Sequence, residues 1–454
     1  MTRPMPTLRR ILTLTLLCTF LPPLHAQTLA RPGWAGSGMN PDAWWKNPVI
    51  YHVNPANFDP TGGSGLHGVA QHLDYIQSLG VDALLLTEIP LDPNHPQSID
   101  PAIGTLDDLD DLIHEASRRN LRILLDLGPS IPPAELSNVG RFWLNRGIAG
   151  FHIFGTTPEA HAQASELRKV ASTYLGQRIL IGDVDSTLST SPQQRTYKAP
   201  DPQAPQLLLD ASLGNVTPLT PPPIRTAIET TENVQLAGHG IALLATDGPT
   251  FPRSLTRYGD GPHNIEIAKA LATILFTTRA QALLYYGQEL GVPQPQPSSA
   301  SNAPAILWEA PPPPPKNKPV PPPPPYDPTA APNAALEETD PSSLLSWYRK
   351  LINLHHSNAT INSGEYLTIN RDDQNVLITI RKPKNVSPAN PILVILCNLS
   401  GQPQHLSIKT DTMKLHLRGS FLRTVIRSDN GMGTMHLESM TLAPYASYIG
   451  ELRF

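Results

Sequence analysis

Short apolar runs recur along residues 44 to 357: "VIYHV", "ALLLTEI", "RILLDLG", "GFHIF", "ILIGDV", "QLLLD", "IALLATD" and "ALLYYG". Between most of them lie stretches whose apolar positions recur at helical spacing, such as "GLHGVAQHLDYIQSLG", "TLDDLDDLIHEASRRN" and "HNIEIAKALATILFTTR". In the second stretch Thr105 is placed to cap the helix, and acidic residues fill the first turn, where the helix dipole favours them. Eight strand-then-helix units predict an α/β fold, a (β/α)₈ barrel, with its site at the C-terminal ends of the strands. The weak point is the fifth-to-sixth connection, "DSTLSTSPQQRTYKAPDPQAP", which is polar, Pro-rich and without a clear helix.

After the helical pattern "SSLLSWYRKLINLHHS" the period changes. "EYLTINRDDQNVLITIRK", "PILVILCNLSG" and "MHLESMTLAPYASYIGELRF" alternate and carry turn signals, which predicts a C-terminal antiparallel β-sandwich over 358–454. A Pro-rich insert at 310–328 interrupts the barrel region. Proline fixes φ and removes a donor, so this insert is expected to be extended and solvated. The first 26 residues run from Arg3, Arg9 and Arg10 through "ILTLTLLCTFLPPL" to Ala26, the order of a secretory signal peptide; an uncleaved anchor is the alternative. The apolar run is broken by Pro22 and Pro23 and is shorter than the ~20 residues of a bilayer span. The expected address is therefore periplasmic or secreted, without stable membrane insertion, and the barrel occupies 27–357.

Composition then narrows the partners. Of 454 residues 40% are apolar, enough for a sizeable core, and removing three arginines from a formal charge of −4 leaves −7. That balance, with no basic block, excludes a nucleic-acid partner. Once the leader is removed Cys397 stands alone, so no intrachain disulfide is expected, and its apolar run predicts a buried thiol.

The ordered pieces resemble glycoside hydrolase family 13, the α-amylase and α-glucosidase family. "WWKNPVIYHVNPANF" is similar to its first barrel strand, with Tyr51, Pro55 and Phe58 in place. "HLDYIQSLGVDALLLTEI", "IDPAIGTLDDLDDLIHEASRRNLRILLDLGP", "PRSLTRYGDG", "ALLYYGQELG" and "DPSSLLSWYRKLINLHH" match later segments in order. The resemblance implies retaining glycoside cleavage, which needs a carboxylate nucleophile and a carboxylic acid about 5–5.5 Å apart.

Against the family's motifs the chain departs repeatedly. At the third strand Asp126 is kept, but Ser130 and Ile131 replace the motif's asparagine and histidine. At the fourth, His152 replaces the arginine and Phe154 the nucleophile. The fifth-strand glutamate is Asp183, and of the seventh-strand Asn-His-Asp only Asp247 remains, after Ala245 and Thr246. Only 23 residues separate Asp126 from Gly150, too few for the domain that the family inserts there.

Phenylalanine has no lone pair with which to attack, so a member with impaired or absent catalysis is expected. The candidate catalytic residues are Asp183 and Asp247, an inverting pair if they stand about 6.5–9.5 Å apart; the alternative is inherited carboxylates that fix loops. Candidate substrate-binding residues are Asp126, Tyr51, Trp308 and Arg253. For Trp308 sugar stacking and packing under the insert both stand, and Arg253, Arg257 and Asp260 equally suit loop-fixing ion pairs. His152 reads as a satisfied core histidine. No His/Asp/Glu cluster has metal spacing, so no metal and no cofactor is expected. Three functions stay open: a carbohydrate-linked protein without turnover that takes an α-glucan or oligosaccharide, a glycosidase or transglycosylase with rearranged carboxylates, and a scaffold for a protein partner.

Overall fold

The computed structural model describes residues 44–59, 63, 65–87, 89, 95–127, 131–184, 204–236, 240–293, 306–309, 333–429, 431 and 433–454. The leader, the 310–328 insert, most of the fifth-to-sixth connection and Ser130 lie outside the described residues.

Eight parallel strands close a barrel in sequence order: β1 (Val49–Val53), β2 (Ala83–Leu86), β3 (Arg122–Leu127), β4 (Gly150–Ile153), β5 (Ile179–Asp183), β6 (Leu207–Asp210), β7 (Ile241–Leu244) and β8 (Gln281–Tyr285). Closure is by β1 on β8, with Ile50 opposite Leu283 and His52 opposite Tyr285. Around them run α1 (Pro55–Phe58), α2 (Leu66–Gln71), α3 (Leu73–Leu79), α4 (Leu106–Arg118), α5 (Pro133–Asn145), α6 (Pro158–Ser172), α7 (Pro221–Leu236), α8 (Ser254–Tyr258), α9 (Asn264–Phe276), α10 (Ala334–Thr339) and α11 (Leu344–Ser357). The start of α4 is fixed as the sequence predicts: the Thr105 hydroxyl accepts from Asp108 N, and the Asp108 carboxylate accepts from Thr105 N. Between β3 and β4 the described residues hold one helix, α5.

Strand alternation divides the barrel wall. Ile50, Leu85, Leu124, Ile181, Leu207, Leu243 and Leu283 fill the interior, while Val49, Tyr51, Val53, Leu84, Leu125, Phe151 and Leu284 face the helices. Both faces are apolar, as expected of parallel strands covered on each side.

The C-terminal region is antiparallel: β9 (Glu365–Ile369), β10 (Val376–Lys382), β11 (Leu393–Asn398), β12 (Gln404–Leu406), β13 (Phe421–Arg427), β14 (Met435–His436), β15 (Met440–Leu442) and β16 (Ser447–Arg453). Six strands form one sheet in the order β14-β13-β16-β11-β10-β9, and β12 pairs with β15. One face of the large sheet, with Ile378, Ile380, Val394 and Leu396, packs under the β12–β15 ribbon. The other face, with Leu377, Leu393, Ile395, Cys397 and Ile449, joins the core around the barrel helices. The Cys397 thiol is 1% exposed, and burial pushes it up to about 12. The two regions are also pinned by charge: Arg381 of β10, fully buried, donates to Glu232 of α7 at 2.9 Å.

Candidate active site

Four side chains from four strands meet at the C-terminal end of the barrel. His52 follows Ile50 by two on β1, and Asp126 follows Leu124 by two on β3, so alternation turns both inward. Asp126 and His152 are register partners on β3 and β4. Asp126 Oδ2 bonds His52 Nε2 at 3.1 Å, and its Oδ1 bonds His152 Nδ1 at 2.7 Å. The other ring nitrogen of His152 reaches Asp183 Oδ1 at 3.0 Å. Asp183 Oδ2 in turn accepts from Gly155 N at 2.7 Å. The result is one unbroken track from His52 through Asp126, His152 and Asp183 to the backbone after β4.

Electrostatics make His152 the cation of this track. Burial alone would drive its proton off, but the Asp126 carboxylate, then Asp183, raises it to about 9. Asp126 behaves conversely: burial would raise its carboxyl, and His152 and His52 hold it below the ordinary value. His152 is fully buried with both ring nitrogens bonded, which is the arrangement of a satisfied core histidine.

Phe154 follows β4 and sets its ring edge-to-face on His152, with centroids 4.4 Å apart. Among the described residues, the carboxylate bonded beside it is Asp183, through His152. Asp183 keeps a quarter of its side chain exposed, yet each of its oxygens already accepts a hydrogen bond. The β6–β7 side of the mouth is filled by Phe251, which packs on the interior cluster. Gly214 has to be glycine there, because a Cβ would lie 2.2 Å from the Phe251 ring.

Asp247 lies apart from this track. Asp247 is 3% exposed, and its Oδ1 accepts from the backbone and hydroxyl of Ser254. It lines a cavity of about 10 Å³, room for one water, with Leu271 of α9 and Tyr348 of α11. Burial raises its carboxyl. None of its hydrogen-bond partners belongs to the Asp183 track.

Tyr51 requires correction as a substrate-binding residue. It is fully buried on the helix side of β1, donating to Glu289 Oε1 at 2.6 Å beside Tyr75, which donates at 2.8 Å. Trp308 also requires it. Its ring is stacked on His72 at 3.6 Å, edge-on to Phe58 and Tyr75, and its indole donates to Phe58 O. Both belong to the outer packing layer rather than to the barrel mouth. Arg253 is 2% exposed, with its guanidinium over the rings of Tyr285 and Tyr286. Arg257 fixes loops, donating to Thr246 O and Val216 O, and Asp260 pairs with His263.

His52 and Tyr285 are the mouth residues that sequence reading passed over. The inward parity of Ile50 and Leu283 is the signal that finds them.

Comparison with known proteins agrees with the geometry. The model of the α-amylase catalytic domain matches residues 49–129. The trehalose-6-phosphate hydrolase of Escherichia coli is 25% identical over 56% of this chain and 66% of its own length. The amino acid transporter heavy chain of Oryctolagus cuniculus is 22% identical over 71% of this chain and 61% of its own. The crystal structure of trehalose-6-phosphate hydrolase from Bacillus licheniformis shares the fold with a TM-score of 0.72 at 18% identity, covering 90% of this chain and all of that one. With its closed barrel and C-terminal antiparallel sheet, and with an α-amylase catalytic-domain match over its first strands, the chain is similar to the α-amylase family, glycoside hydrolase family 13.

Proposed function

We propose that this chain holds a saccharide at the barrel mouth and does not hydrolyse it by the family mechanism. One observation carries the reading: the nucleophile position is the Phe154 side chain, and the neighbouring Asp183 has both oxygens engaged, by His152 and by Gly155 N. Acid catalysis requires a carboxyl that presents a proton to the glycosidic oxygen. A carboxylate accepting from an imidazolium and an amide is arranged for the opposite state. Asp247 offers no second reacting group, being held by Ser254.

Saccharide chemistry fits the family and relatives such as the trehalose-6-phosphate hydrolases. Equilibrium dialysis of the protein from Gln27 onward with a maltooligosaccharide, followed by chromatography of the recovered sugar, tests both halves. Intact, retained sugar is the expected result; cleaved products would overturn the reading.

A second reading has its own support, the likeness to an amino acid transporter heavy chain. In this reading the barrel of the present chain serves as a partner-binding surface. Co-purification of a membrane partner with the full chain, undiminished by excess maltooligosaccharide, would favour it. Export also belongs to the proposal: N-terminal sequencing of the mature protein should begin at Gln27.

A further inference from the structure

Two buried polar groups at the rim stand without hydrogen-bond partners, and both pack on one ring. His52 is 2% exposed. Its Nε2 is committed to Asp126, and its Nδ1 has no partner. Arg253 is also 2% exposed, and its Nε, Nη1 and Nη2 all lack a hydrogen-bond acceptor. The Arg253 Cζ lies 4.6 Å from the Tyr285 ring centre, and the His52 ring lies 5.5 Å from it, edge-on. An unsatisfied buried polar group costs about 1–3 kcal/mol, so such atoms are rare unless something else completes them.

The charges select what completes them. Burial raises the Glu289 carboxyl, and Arg253 opposes that shift through space, so the guanidinium already has a diffuse counter-charge. Asp126 and Asp183 add negative charge nearby, and an anion would meet repulsion. The open valences are guanidinium donors and, because His52 Nε2 faces a carboxylate, an acceptor lone pair on Nδ1. Donors and an acceptor together match neighbouring hydroxyls, each of which gives one hydrogen bond and takes another.

We propose that His52 Nδ1 and the Arg253 guanidinium are the hydroxyl-reading groups of a neutral saccharide subsite on the β1–β8 side of the mouth, opened when the Tyr285 ring swings aside. Tyr285 is 5% exposed, and its ring lies against both groups in this conformation. The subsite supplies from β1 and the β7–α8 loop the kind of contacts that Ile131, Ala245 and Thr246 can no longer make. This inference rests on the reading of the mouth as a saccharide site.

The test is calorimetric titration with maltose and trehalose. His52→Phe and Arg253→Met should each weaken binding about tenfold or more, the loss of a good hydrogen bond. His52→Gln, which can still donate to Asp126 and accept from a hydroxyl, should restore most of it. In the unsubstituted protein, selectively ¹⁵N-labelled on histidine, the His52 Nδ1 resonance should move on saturation with the sugar. Binding that survives both substitutions, with that resonance unmoved, would overturn this inference alone. No binding of either sugar by the unsubstituted protein would overturn the reading of the mouth as well.

Discussion

His152 bonds Asp183 at 3.0 Å through one ring nitrogen and Asp126 at 2.7 Å through the other, so the residue in the arginine position bridges two strand-end carboxylates. That bridge gives the mouth an ordered, charged floor. Neither ring nitrogen is free, and neither Asp183 oxygen is open.

Restoring a carboxylate by Phe154→Asp should not by itself restore hydrolysis. Asp183 remains engaged by His152 and Gly155 N, and the side chain is one methylene shorter than the family's glutamate. Release of p-nitrophenol from an α-glucoside by this variant should equal that of Asp183→Asn. A clear rate would show that Phe154 is the sole defect.

The His152 bridge should make stability fall with rising pH. Its folded value near 9 lies above the ordinary 6.5, so its contribution is complete below about 6.5 and is lost as pH rises through 9. The amount is about 3 kcal/mol, from ~1.4 kcal/mol per pH unit. Urea midpoints between pH 6 and 10 should show this slope, and His152→Gln should flatten it. An unchanged slope in the variant would place its origin elsewhere.

Arg381 and Glu232 should matter most when only one of them is removed. Arg381→Met leaves a buried carboxylate with Arg279 at 3.4 Å as its remaining cation, and should cost about 3–5 kcal/mol. The double change with Glu232→Gln should recover part of that loss. Additive denaturation midpoints would show that the pair does not couple the sheet to α7.

Tyr51→Phe separates packing from binding. It takes one of two phenol donors from Glu289, and should cost about 1–3 kcal/mol of stability while leaving saccharide affinity unchanged. A fall in affinity at unchanged stability would return Tyr51 to the mouth.

Much of the architecture was legible because eight apolar runs at barrel spacing mark strands, and the change of period after Ser357 marks the sheet region. What stayed illegible was which way each strand residue faces. In β1, Val49, Ile50, Tyr51 and Val53 are all apolar and buried, so alternation leaves no polar face to read. The motif resemblance points to Tyr51, whereas the inward position belongs to its neighbour His52. The shared core is a second case. Cys397 and Ile395 alternate with Val394 and Leu396 as strand residues should, but only the fold shows that one set packs against the barrel helices and the other under the β12–β15 ribbon. Phe154 and His152 stand out by position in the sequence, whereas the ion bridge that His152 makes depends on the β3–β4 register.

The most direct test of the central claim is a long assay of the protein from Gln27 onward against p-nitrophenyl α-glucoside, maltooligosaccharide and trehalose, with Asp183→Asn as the blank. A mouth whose strand-end carboxylate Asp183 is held by His152 and Gly155 N predicts product formation indistinguishable from that blank over days. Turnover in the unsubstituted protein that disappears in Asp183→Asn would contradict it, and would make Asp183 a working catalytic group.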